Sequence, residues 1–331
     1  MGGLARKSAI LNDEKNNSSN YFILDAGDLF FKKNSINPGK PTELAKISAE
    51  TIVNSFNEIG CDAFNIGEND FAMGVDYLTY LKDMSSFPYI SANIKNTAGS
   101  YLFNPYKIIN RDGVKLGVIG LSSVFQKDGI NVEDPIESLE KIVEFVNSQS
   151  DFVVLLFNAT DRDINRFHKL NFPVDIVIQS KSKKRSNDGG NNNTPVYSCG
   201  DRGKYIYEFE LKYNDIQSDF VDIAVYESTV KLMDRKIKNL SKNNDQPENE
   251  EAQNIKLENY SSQKLEAEEK IKSAENIIVI NKIELGKKII DDPVILKIVD
   301  SGNMKKNLLN PQPQAGRKNP KHGQPGHKHG G

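Results

Sequence analysis

Histidine is scarce. The 331 residues contain four, and His322, His327 and His329 all fall at the C-terminal end, leaving His168 alone for imidazole chemistry in the body of the chain. Cysteine is scarcer: Cys61 and Cys199 are the only two, which excludes a disulfide framework and a thiolate metal cage. No apolar run approaches the ~18 residues that a membrane span needs. Met1-Gly2-Gly3-Leu4-Ala5-Arg6-Lys7 is followed by a mixed segment, so the chain as given shows no signal-peptide core. An excess of one charge is also lacking. With 43 Lys+Arg against 45 Asp+Glu, the net charge of −2 gives no global attraction to nucleic acid or an anionic membrane. Apolar residues make up 37% and mean hydropathy is −0.54. A core must therefore be concentrated in part of the chain.

The first two-thirds supplies it, alternating short apolar runs with amphipathic stretches. Strands are expected at residues 21–26, 62–66, 87–92 and 151–157, and at 174–178 after a helix. Residues 106–109 and 114–120 read as a hairpin through Asp112-Gly113. Helices are expected at 44–59, stopped by Gly60, and at 136–148. This order and spacing argue for layered α/β architecture with buried, largely parallel strands. Residues 205–213 and 219–226 alternate in polarity and read as a later antiparallel pair. Residues 231–240 could be helical, 241–254 read as a loop, 263–275 as a charged helix, 276–285 as a strand and 293–299 as a short helix. From Ser301 onward Gly, Pro, Asn, Lys and His dominate, and a disordered tail is expected.

Chemistry in α/β folds gathers at the carboxyl ends of strands. Three such ends carry polar groups: Asp25-Ala26-Gly27-Asp28, Gly67-Glu68-Asn69-Asp70-Phe71 and Leu155-Leu156-Phe157-Asn158. Each alone is also what a turn with a capping Asp or Asn looks like. Together with Gly2-Gly3-Leu4-Ala5-Arg6, Ser91-Ala92-Asn93 and Gly113 through Leu121, in this order and spacing, they resemble the 5′-nucleotidase branch of the calcineurin-like metallophosphoesterases. The resemblance covers roughly residues 1–226. It implies a four-layer α/β/β/α sandwich and hydrolysis of phosphate esters by two metal ions, which activate the nucleophile and clamp phosphoryl oxygens.

The residues that resemblance requires are mostly replaced. Asp28 matches the bridging metal-ligand aspartate. Glu68 stands where the family has a metal-binding Asn, and Asn69 stands at the catalytic His position. Asn158 takes the place of a ligand His. Lys181 and Lys183 fall on the Gly-His-x-His motif, and an ammonium offers donors only. The family's Asp-x-His strand would precede Gly2, which implies an N-terminally incomplete member whose neighbouring strands lack a pairing partner. Lys181 or Lys183 is expected near Asp28 or Glu68, replacing the metal's charge. His168 is expected on a surface helix, Cys61 at a helix–strand junction and Cys199 as a small buried residue, with a place lining the cleft as its alternative.

The expected organisation is a metallophosphoesterase domain over 1–226, a charged helical extension with a short strand over 227–300, and a tail over 301–331. The leading functional expectation is a catalytically degenerate member acting as a binding or scaffold module in the periplasm or envelope. Its candidate partners are a phosphorylated small molecule or an envelope protein, with no nucleic acid and no membrane span. A second reading is a phosphoester hydrolase whose first strand is missing from this chain, using Mn, Zn, Mg or Ca. A third is an envelope metal-binding protein acting through His322, His327 and His329.

Overall fold

The computed structural model describes residues 3–18, 20–190, 194–215, 218–242 and 250–310. Helix α1 (Gly3–Asn17) leads into strand β1 (Leu24–Asp25), α2 (Lys40–Ile59) and β2 (Ala63–Asn65). A 3-10 turn, Glu68–Phe71, precedes α3 (Val75–Met84), β3 (Tyr89–Ile90) and β4 (Ile94–Asn96). Next come β5 (Tyr106–Arg111), β6 (Val114–Ser122), β7 (Ile130–Val132), α4 (Pro135–Glu140) and α5 (Val143–Ser148). They are followed by β8 (Phe152–Asn158), α6 (Asp161–Phe167), β9 (Ile176–Ser180), β10 (Val196–Tyr197), β11 (Tyr205–Lys212) and β12 (Phe220–Asp222). The last elements are α7 (Ile223–Lys242), α8 (Glu250–Ser273), β13 (Asn276–Glu284) and α9 (Pro293–Leu309).

Two sheets stack face to face. One is parallel, in the order β1-β2-β3; the other runs β10-β9-β8-β6-β5, parallel except for the β5–β6 hairpin. The hairpin turns through Asp112 at φ 47° and Gly113 at φ 86°, the pair of positive φ values that a two-residue turn matched to strand twist requires. Strands β6 and β8 are buried on both faces. Leu116, Val118, Phe152, Val154 and Leu156 join Ala26, Ala63 and Ile90 between the sheets. The alternate residues Ile119, Leu121, Val153, Leu155 and Phe157 pack against α4, α5 and α6. A third apolar layer, containing Val53, Phe56, Phe64, Leu78 and Leu81, fills the space between the three-stranded sheet and α2 and α3. Three apolar layers separate four layers of structure, the α/β/β/α sandwich. Strand β1 borders its sheet, pairing with β2 alone among the described residues.

Several local expectations change. The segment 219–226 is a strand only at 220–222. Asp222 Oδ1 accepts the Ala224 N–H at 3.0 Å and starts α7, which buries Val225 and Met233. Strands β11 and β12 do not pair with each other. β13 lies between them, antiparallel to β11 and parallel to β12. The helix expected at 136–148 is two helices, because Ile142 leaves helical dihedrals at φ −127°. Residues 250–254, expected in a loop, begin α8, while 243–249 lie outside the described residues. Residues 301–309, expected in the tail, complete α9. Gly302 is buried against Thr51 of α2, and Ile295 and Val299 join Ala5 of α1 and Ile59 of α2 in a small core. The tail beyond, with its three histidines, is outside the described residues.

Candidate functional site

Strands β1, β2, β8 and β9 end together, and their carboxyl ends form one crevice. Gly27 turns at φ 109° and Asp28 follows at φ 62°, a backbone region that residues with a Cβ rarely occupy. The loop after β9 does the same at Lys181, φ 66°. Apart from the hairpin turn, these are the only non-glycine residues with positive φ among the described residues, and both lie in the crevice. Gly67 is required there by space: a Cβ would overlap Asp28 Oδ1 and stand 2.8 Å from Asn158 Nδ2.

Hydrogen bonds tie the strand ends together. Asp28 Oδ1 accepts the Asn69 N–H at 2.8 Å. Asn158, fully buried, accepts the Glu68 N–H at 3.3 Å and donates Nδ2 to Ser180 Oγ at 2.8 Å. Ser180 Oγ donates to the Ala26 carbonyl at 2.6 Å, joining the two sheets. Beneath them Asp70 accepts N–H groups from Asp28 at 2.9 Å, Gly67 at 2.9 Å and Phe30 at 3.0 Å. At the mouth, Lys181 Nζ lies 2.5 Å from Glu68 Oε2. Asn34 Nδ2 donates to Glu68 Oε1 at 2.8 Å. Both oxygens of Glu68 are thus held by side-chain donors.

The electrostatics follow. Burial raises the Asp28 carboxyl above its ordinary range, against the Asn158 amide, the Asn69 N–H and the nearby Lys181 charge. Burial and the Asp28 charge raise Asp70 well above its ordinary range, although its three N–H donors favour the anion. For Glu68, partial burial alone would raise the carboxyl, but the hydrogen bonds from Lys181 and Asn34 and the Lys181 charge carry it below its usual range.

The crevice therefore brings together Asp28, Glu68, Asn69, Asn158 and Lys181. Lys183 is exposed on the following loop and is paired with neither carboxylate. His168 lies elsewhere, half-buried at the end of α6, with burial lowering its pKa. Cys61 is buried between α2 and β2, and Cys199 is half-buried, its thiol pushed up to about 11 by burial. Asn34, Ser180 and Asp70 complete the site without having been assigned a role from sequence. Asp70 stood inside a quoted motif; Asn34 lies in a loop with no distinguishing signal.

A dinuclear centre needs several anionic or imidazole donors with open lone pairs. Among the described residues no group of three or more His, Cys, Asp or Glu side chains is placed to hold a metal. Each Glu68 oxygen accepts from a side-chain donor, Lys181 or Asn34, and Asn158 is bonded on both sides of its amide. The donor set present does not fit the two ions.

The sandwich and its strand-end crevice define the class, a metallophosphoesterase-type fold. Solved structures share it, two of them over most of this chain. Over 91% of this chain and 88% of its own, the calcineurin-like phosphoesterase YfkN from Bacillus subtilis matches with a TM-score of 0.60 at 16% identity. The sulfate thiohydrolase SoxB from Thermus thermophilus matches over 91% of this chain and 46% of its own, with a TM-score of 0.63 at 12% identity. A 5′-nucleotidase of Vibrio cholerae is 27% identical over 190 residues, 53% of this chain and 33% of that protein. No family model matches the chain. In sequence the chain is similar to the 5′-nucleotidase branch of the metallophosphoesterases. It spans about a third of the length of the curated relatives it matches.

Proposed function

We propose that this protein is a catalytically degenerate member of the 5′-nucleotidase branch, keeping the fold and crevice as a binding or scaffold module without two-metal hydrolysis. One observation carries the reading: both oxygens of Glu68 are occupied, by the Lys181 ammonium at 2.5 Å and the Asn34 amide at 2.8 Å. Two-metal hydrolases draw most of their rate from ions that activate water and neutralise charge in the transition state. Asp28 and Glu68 are the only carboxylates at the mapped ligand positions, and the second is engaged elsewhere. A phosphorylated small molecule or an envelope protein is the partner chemistry this reading favours. The envelope location rests on the family resemblance and is checked by fractionating cells.

The test of the reading is hydrolysis of nucleoside monophosphates by the purified chain with Mn, Zn, Mg or Ca. Turnover at background level is expected for the chain and for Asp28→Ala alike. Robust metal-dependent turnover, abolished in Asp28→Ala, would overturn the reading.

A further inference from the structure

The mouth of the crevice joins two pieces of chain that share no backbone hydrogen bonds in a sheet: the turn after β2, carrying Glu68, and the loop after β9, carrying Lys181. A diffusible dication could hold two such loops together. Here the ammonium is covalently attached to one of them. We propose that Lys181 is a tethered cation that clasps the turn after β2 to the end of β9, and that it keeps divalent cations out of a site that would bind them in its absence. The proposal rests on the reading above, since it explains how a crevice without bound metal stays assembled.

Four observations point to it. The ion pair is short, at 2.5 Å, and spans 113 positions of sequence. The Glu68 oxygen not taken by Lys181 is held by Asn34, so the carboxylate is aimed and not merely nearby. Lys181 keeps a left-handed backbone, φ 66°, a conformation that persists where the surroundings over-determine it. Asp28, close enough for Lys181 to act on electrostatically, puts a second carboxylate beside the first. Removing the ammonium therefore leaves the Asp28 and Glu68 carboxylates with their charge uncompensated, the oxygen donors that a hard dication binds. An unpaired, partly buried carboxylate is costly, so the vacated space should draw an ion from solution.

The experiment is a thermal-unfolding series on the full chain, with EDTA or with CaCl2 or MnCl2. It compares the parent, Lys181→Met, Lys184→Met and the double variant Lys181→Met/Glu68→Gln. Methionine keeps the length and backbone preference of lysine, so the left-handed strain is common to parent and variant and cancels. The parent and Lys184→Met should show the same Tm in EDTA and in millimolar Ca or Mn. Lys181→Met should lose about 2–6 °C in EDTA, the scale expected for stranding one partly buried carboxylate in a large domain, and should recover in Ca or Mn. The double variant, with no stranded charge, should lose less and show no response to metal. A parent Tm that rises with Ca or Mn, or a Lys181→Met variant with no Tm loss, would overturn the clasp. Loss without metal-dependent recovery would overturn the exclusion of cations. These outcomes are independent of hydrolysis: the functional reading fails on turnover, the clasp on Tm.

Discussion

Among the polar residues of the crevice, Asp70 is the one with the most backbone amides depending on it. It is 1% exposed and accepts N–H groups of Gly67, Asp28 and Phe30 at 2.9, 2.9 and 3.0 Å. Asp70→Ala leaves the Gly67 and Phe30 amides buried without an acceptor. At ~1–3 kcal/mol for each orphaned buried group, the two together cost about 2–6 kcal/mol. The Asp28 amide is only partly buried and adds less, because water can reach it. Removing the carboxylate also relieves the repulsion from Asp28 that helps raise the Asp70 pKa, which returns part of the loss. A net destabilisation of about 2–4 kcal/mol remains. Asp70→Asn has the same shape, but its single carbonyl can serve either the Asp28 and Gly67 pair or Phe30, so about half that loss is expected. Urea unfolding followed by far-UV circular dichroism at neutral pH measures both. A loss in Asp70→Ala below ~1 kcal/mol, or Asp70→Asn as destabilised as Asp70→Ala, would refute the argument that these three amides depend on one carboxylate.

Two further outcomes test other parts of the structure. A Cβ on Gly302 would overlap Thr51 Oγ1 and stand 3.1 Å from its Cγ2, so Gly302→Ala should destabilise by about 1–3 kcal/mol despite the better helix propensity of alanine, and Thr51→Ala should rescue most of it in a double-mutant cycle. The Glu68 carboxyl is held below its ordinary value of 4.5 in the folded protein. Its stabilisation is therefore complete above that value and is lost as pH falls through the folded pKa; the Tm gap between the parent and Glu68→Gln should close between about pH 5 and 3, and a gap unchanged across that range would show that the pair contributes nothing.

Much of the α/β frame was legible because buried parallel strands carry their own signal. Residues 152–157 are a continuous apolar run, buried on both faces as such a run demands. The Lys181 contact was legible because the family resemblance put this lysine at a position facing Asp28 and Glu68, where an opposite charge is attracted. The order β11-β13-β12 was not, since alternation in residues 205–213 and 219–226 says which face is buried and nothing about which strand lies alongside. The length of α9 was hidden by composition. Residues 301–309 hold Gly302 and polar side chains that read as tail, and only the presence of Thr51 on another helix explains a glycine there. Asn34 was invisible for the same reason: its role is set by Glu68, a neighbour in space and not in sequence.

The position of β13 between β11 and β12 has a consequence for biosynthesis. Both outer strands leave the ribosome before the strand that joins them, which follows only after residues 223–275 have been made. At about 5–20 residues per second that interval is roughly 3–10 s. During it, β11 presents eight residues of unpaired backbone while the α7–α8 hairpin, whose contacts are local, is free to fold first. The nascent chain therefore carries an open edge at the stage when other nascent chains are closest, and a pause within α8 would lengthen that exposure.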